Sequence, residues 1–246
     1  MSALEKVTGI VIGRRRLGEG DMLLELLLPS GDTQEVRAFG LAKSLRRTMR
    51  LAEPAALVEM EVYVDSRGGA LKEGRLIRSL YRGQSYQDLI GTAYLLEIAG
   101  LSARAGAGPE VYPLILGALE NGPADALLFG FVLIRLQKLL GILGPMEHCM
   151  NCQSVLLKAV YWNPLETIVV CERCDERASR RDFRLVCAIH LGLNRRFALY
   201  KEQPLILSLA EAERLHLFWQ LQRSLEQFLS LPFRSAKQLA TVYPPP

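Results

Sequence analysis

The chain has 246 residues, half of them apolar, and a net charge of +4, with a pI near 8.8. Such a composition buries a real core and argues against global disorder, and the length suits one large domain or two to three small ones. The mild basicity does not by itself name nucleic acid as a partner, so where the charges lie matters more than their sum.

The first stretch, residues 6–78, reads as β-structure. Lys6 to Arg15, Asp21 to Pro29, Gln34 to Gly40, Ala55 to Asp65 and Ala70 to Arg78 are rich in Val, Ile and Leu. Gly18-Glu19-Gly20, Pro29-Ser30-Gly31 and Arg67-Gly68-Gly69 supply the turns between them. In Leu57 to Val64, Glu59 and Glu61 fall on one face and Val58, Met60, Val62 and Val64 on the other, the period of a half-buried strand. Five strands in this length make a small closed barrel. An OB-fold fits, and so does an SH3-like barrel.

At Ser85 the period becomes helical, with Leu89, Ile90, Ala93, Tyr94 and Leu96 in one apolar stripe that ends before Gly106-Ala107-Gly108-Pro109. A second helix is predicted over Pro109 to Glu120, and a third from near Pro123 to about Leu143, where Gly144-Pro145 stops it. Residues 182–201 and 209–243 are predicted helical. The fold class expected is α+β in several domains: a barrel over 1–80, part of a helical bundle over 81–147, a zinc ribbon over 148–178, and C-terminal helices over 179–246 that pack on the helical domain. The longest apolar run, Leu127 to Ile134, is far short of the roughly 20 residues that cross a bilayer. Met1 to Lys6 has neither the basic nor the apolar region of a signal peptide, and the expected setting is soluble and cytoplasmic.

Cys149-x-x-Cys152 and Cys171-x-x-Cys174, eighteen residues apart, form the strongest local signal. Tetrahedral zinc takes four such ligands from two knuckles joined by a hairpin. Leu157 to Asn163 and Thr167 to Val170 alternate as that hairpin's strands, with Asn163-Pro164-Leu165-Glu166 as its turn. Four cysteines leave no coordination position for water, so the site is structural. The alternatives are four free thiols or two disulfides. His148 is read as a flanking residue, and Cys187, among Leu185, Val186 and Ile189, as a buried inert thiol.

Between Val36 and Arg50 stand five basic residues, Arg37, Lys43, Arg46, Arg47 and Arg50, and no acidic one. Arg14-Arg15-Arg16 ends the first strand. Loops of an OB-type barrel rim its binding face, and cations clustered there engage phosphates with salt-dependent affinity. Phe39 is the only aromatic in the run, so backbone contact with little base reading is expected. The alternative is a solvated basic loop. A second cluster, Arg173, Arg177, Arg180, Arg181 and Arg184, is diluted by Asp175, Glu176 and Asp182. Arg135 and Lys138 are the two cations of residues 105–147. Their apolar helix is either a groove for an acidic peptide ending in an aromatic, or a core helix with one wet face. Phosphate loops, dinucleotide fingerprints, serine elbows and H-E-x-x-H are all absent from the sequence, which points away from an enzyme.

The order of these parts resembles the RecO family of bacterial DNA-repair proteins. Arg16-Leu17-Gly18-Glu19-Gly20-Asp21 is similar to the family's L-G-E-x-D turn. Phe39 to Arg47 is similar to its K-G-x-R-x-x-x-S basic loop, although Phe-Gly-Leu-Ala-Lys replaces the family's tighter Lys-Gly-Ala-Arg run. Tyr94-Leu95-Leu96-Glu97 resembles the helix motif after the barrel, the four cysteines fall where zinc-bearing members carry theirs, and Arg234 to Leu239 resembles the terminal K-S-x-x-x-L signature. The resemblance implies a non-enzymatic, nucleoid-associated protein that binds single- and double-stranded DNA and anneals complementary strands. It further implies contact with the acidic C-terminal tail of single-strand-binding protein, and help from RecR in loading RecA. On this reading Arg14, Arg15, Arg16, Arg37, Lys43, Arg46, Arg47 and Arg50 carry DNA, Arg135 and Lys138 meet the tail, and Cys149, Cys152, Cys171 and Cys174 hold Zn2+. The competing classes are an RNA- or ribosome-associated factor built from a barrel and a zinc ribbon, and a protein–protein adaptor.

Overall fold

Alternating apolar residues pleat the first eighty positions into five strands in the computed structural model: β1 (Ala3–Leu17), β2 (Asp21–Leu27), β3 (Thr33–Ala38), β4 (Ala56–Asp65) and β5 (Gly68–Ser79). The structure describes residues 3–43, 47–65, 68–81, 83, 85–121, 125–166 and 168–245, with the backbone alone at 47, 48, 65 and 121. The strands close into a barrel in the order β1-β2-β3-β5-β4. All neighbours run antiparallel except β3 and β5, which pair in parallel. Val7 and Val11 of β1, Leu24 and Leu26 of β2, Val36 and Ala38 of β3, and Val58, Met60 and Val62 of β4 fill the interior.

The opposite face of β4 is polar and self-neutralised, as its alternation predicts. Glu59 meets Lys6 at 3.1 Å and Arg75 at 2.7 Å, and Glu61 meets Lys72 at 3.0 Å. The Arg75 hydrogen bond, then that of Lys6, holds the Glu59 carboxyl below its ordinary value.

Ser85 starts α1 (Tyr86–Arg104) with a capping box: its hydroxyl accepts the Asp88 N–H at 3.1 Å, and the Asp88 carboxylate accepts the Ser85 N–H at 3.2 Å. α1 lies on the barrel. A Cβ at Gly100 would stand 3.1 Å from the tip of Ile12 in β1, and Arg104 pairs with Glu25 of β2. α2 (Val111–Asn121) is tied to β5 by an Arg78–Glu120 ion pair. The chain thus divides into two units, Met1–Ala124 and Asp125–Pro246. The first helices go with the barrel, whereas the sequence reading gathers 81–147 into one helical body. The contacts that decide this join residues such as Gly100 and Ile12, which no local pattern links.

In the second unit Asp125 caps α3 (Ala126–Leu139), its carboxylate accepting the Leu128 N–H at 2.7 Å. α3 is buried along most of its length. β6 (Val160–Asn163) and β7 (Ile168–Cys171) form a hairpin, followed by α4 (Arg180–Asn194), α5 (Phe197–Tyr200), α6 (Pro204–Ser208), α7 (Glu211–Leu229) and α8 (Arg234–Val242). α7 packs on α3: the fully buried Gln137 donates to the Leu221 carbonyl at 2.7 Å, and Phe129 and Phe218 meet at 5.8 Å. The two long helices expected over 182–201 and 209–243 are each interrupted. Arg195 is extended after α4, and Ser230 takes a left-handed conformation (φ 53°) two residues before Pro232. Among the described residues no helix is long and apolar enough to cross a membrane.

Candidate nucleic-acid interface and metal centre

The arginines ending β1 do not share one face. A β-bulge shifts the β1–β2 register between Val11 and Gly13, so Arg14 comes opposite Leu24 and Arg16 opposite Met22, both residues of the barrel interior. A strand with an extra residue changes which parity points inward. Arg14 and Arg16 therefore stand at the barrel mouth. With Arg15, Met22, Ala42 and Met49 they line an open hollow of about 190 Å³, and Arg14 Nη1 donates to the Ala52 carbonyl at 3.2 Å.

Arg15 takes the outer face. It lies opposite Leu23, which lies opposite Arg37, so Arg15, Leu23 and Arg37 form one row across β1, β2 and β3. Arg15 also meets Glu35 at 3.6 Å. Both partners are more than half exposed, and such a pair contributes little and leaves the guanidinium open to a competing anion.

The loops beside this end of the barrel are fastened together. The Gly40 N–H donates to the Asp21 carboxylate at 2.8 Å and the Ala42 N–H to the Gly20 carbonyl at 2.9 Å. The Lys43 stem lies along Gly20, where a Cβ would come within 3.3 Å of it, and its ammonium is 4.0 Å from Glu19. Arg50 is exposed on a short 3₁₀ turn, Arg47–Ala52. Arg46 and the Arg47 side chain lie outside the described residues. Met49 and the Ala52 carbonyl belong to the mouth without any chemical signature in the sequence.

The four cysteines do converge: their sulfurs all lie within 4.8 Å of one another, and the Cys152–Cys171 pair is 3.6 Å apart. Four thiolates at about 2.3 Å from a tetrahedral ion stand about 3.8 Å apart, so the donor set fits a metal ion. Cys149 and Cys171 are buried, while Cys152 and Cys174 lie toward solvent. β6 and β7 pair from Val160 opposite Cys171 to Asn163 opposite Ile168, the hairpin expected between the knuckles. The Cys171 N–H donates to the Cys149 sulfur at 3.3 Å, and the Met150 N–H to the Val169 carbonyl at 2.9 Å, so backbone bonds hold the first knuckle on β7.

Ser154, which the cysteine spacing does not flag, places its hydroxyl 3.0 Å from the Cys152 sulfur. Chiefly through that contact the thiol is lowered to about 6. Cys174, hydrogen-bonded first of all with Cys152, is pushed up to about 12. Cys187 is half-buried on α4 and its thiol is raised by burial, in keeping with an inert side chain.

No protein-family model matches the chain. Relatives do. It is 28% identical to the DNA repair protein RecO of Leptospira biflexa serovar Patoc, over 80% of this chain and 82% of the relative. It is 25% identical to the DNA repair protein RecO of Dehalococcoides mccartyi strain CBDB1, over 69% of each. The chain is RecO-like.

In this RecO-like chain the cations of α3 are placed differently from one another. Arg135 is half-buried. It donates through Nη1 to the Leu193 carbonyl at 3.0 Å and through Nη2 to the Arg195 carbonyl, and its guanidinium stands 5.4 Å over the Phe131 ring. Burial lowers its pKa. These contacts tie α3 to the end of α4 and engage two of the guanidinium's five N–H donors. Lys138 is exposed in the last turn of α3. The second arginine cluster is similarly divided. Arg177 is bonded to Asp175 at 2.8 Å and lies 3.9 Å over Tyr161, and Arg184 donates to the Ser208 carbonyl at 2.9 Å. Arg173, Arg180 and Arg181 are exposed.

Proposed function

We propose that this RecO-like chain is a DNA-repair protein that binds single- and double-stranded DNA through an OB-type barrel and anneals complementary strands. The observation that carries the proposal is the gathering of Arg14, Arg16, Arg15, Arg37 and Lys43 at one end of the closed barrel. The far flank of β4 and β5, by contrast, is neutralised by its own ion pairs. The parallel β3–β5 pairing supports the OB-type reading, and the likeness to RecO proteins supports repair as the setting. Annealing needs two strands held by their backbones with bases left free, and a barrel end of guanidiniums and methionines suits that chemistry.

On this reading the protein is not an enzyme and acts with RecR and RecA on strands coated by single-strand-binding protein. The tail of that protein would meet Lys138 more readily than Arg135. Zn2+ is the ion that four thiolates at these separations suit. Cys149, Cys152, Cys171 and Cys174 would hold it in a closed structural site, fixing the β6–β7 hairpin against the start of α4.

The test is strand annealing of complementary oligonucleotides by the full chain, with and without single-strand-binding protein, beside anisotropy titrations at several salt concentrations. Arg14→Ala with Arg16→Ala should weaken single- and double-strand binding alike and reduce the salt slope by about 1.5, near 0.7–0.9 per phosphate contact. Unchanged affinity and slope would remove the barrel mouth from DNA binding. Preference for RNA over single-stranded DNA of equal length would favour the RNA-associated alternative.

A further inference from the structure

Phe39 is the residue that the barrel's cationic end leaves unexplained. Its side chain is 67% exposed, more than almost any other large apolar side chain described. It follows β3 directly, in the turn two residues after Arg37, at the end of the strand that carries Arg37 of the Arg15–Leu23–Arg37 row. Its position is held from both sides. β3 is paired along its length to β2 up to Ala38, and Gly40, on the other side of Phe39, is fixed by its N–H to the Asp21 carboxylate at 2.8 Å. Asp21, the nearest acidic group by register, is thereby engaged with the backbone. A phenyl ring presented to water has a hydrophobic cost, and this one has no intramolecular stacking partner among the described residues.

We infer that Phe39 is a stacking platform for one unpaired base, with Arg37 and Arg15 holding the phosphates beside it, so that this face of the barrel distinguishes single-stranded from duplex DNA. The inference rests on the DNA-binding reading and deepens it. Residues two apart are separated by at most about 7 Å along the chain, a reach that one nucleotide spans between its base and a neighbouring phosphate. Every base offers a π-face, so such a contact is sequence-tolerant. A duplex already stacks its bases internally and offers the ring nothing but its phosphates. The mouth formed by Arg14 and Arg16 lacks an aromatic, whereas the outer row has one. The two faces of the β1 end therefore differ in kind: charge with methionines on one, charge with a stacking ring on the other.

The experiment is fluorescence anisotropy with the full chain and three labelled probes: a thymidine single strand, the same strand with abasic sites, and a duplex of equal length. Phe39→Ala should weaken binding of the thymidine strand about tenfold. Its affinity for the abasic strand and the duplex, and its salt slope, should stay those of the parent. Phe39→Trp should keep the affinity and show quenching on the single strand, against a background of Trp162 and Trp219, which are buried. Equal losses on all three probes, or no loss on the thymidine strand while Arg37→Ala weakens every probe, would overturn the stacking inference and leave DNA binding in place. Failure of the parent chain to bind any probe would overturn both.

Discussion

Arg135 separates a structural from a binding role. Its guanidinium donates to the carbonyls of Leu193 and Arg195 and lies over Phe131. Arg135→Ala deletes both bonds and leaves the end of α4 to find other donors. A hydrogen bond from a charged group contributes ~1.5–3 kcal/mol. At this half-exposed position water replaces part of each, which brings the expected loss to about 2 kcal/mol, with the ring contact included. For a unit of this size that corresponds to a fall in Tm on the order of 5–10 °C. Arg135→Lys keeps the charge but presents a point donor in place of a fork, and should recover less than half of the loss. Calorimetry or circular dichroism of the three proteins reads this directly. The reasoning is refuted if the alanine protein melts with the parent, or if lysine restores full stability. Should alanine leave stability intact and abolish binding of an acidic, aromatic-ended peptide, Arg135 would be a free cation serving that ligand.

The protein purified under reducing conditions should contain about one zinc per chain; chelation should then alter the near-ultraviolet signal of Trp162, which sits in the β6–β7 hairpin, and a preparation free of metal yet fully folded would count against the site. Because Arg75 and Lys6 hold the Glu59 carboxyl below its ordinary 4.5, its contribution to stability is complete above that value and is lost as pH falls through the lowered one. Glu59→Gln should therefore remove part of the stability difference between neutral pH and pH 3, and an unaltered acid limb would show the ion pairs to be inconsequential. Gly31 has φ +86°, and a Cβ there would lie 2.1 Å from the Gly108 carbonyl oxygen, so Gly31→Ala should cost more than about 2 kcal/mol in denaturant titrations. A loss below 1 kcal/mol would mean that the two turns separate easily.

The sequence alone determined the barrel strands, the polar outer face of β4, the starts of α1 and α2 and the cysteine hairpin, because each is written in local periods and spacings. Val58, Met60 and Val62 point inward wherever β4 goes, and a pair of C-x-x-C knuckles can converge only if the segment between them doubles back. The breaks after Asn194 and Leu229 carried weaker marks, a two-arginine junction and the single Pro232, and helical periodicity ran through them. What only the tertiary structure decided was the use of the cations. The bulge after Val11 turned Arg14 and Arg16 toward the barrel mouth and put Arg15 in register with Leu23 and Arg37. Arg135 found its carbonyls 58 and 60 residues along the chain, α1 joined the barrel through Gly100 and Arg104, and α2 through Glu120. A side chain's charge is local information, but its partner is chosen by whatever packing brings within 3 Å, and that depends on residues far away in the chain.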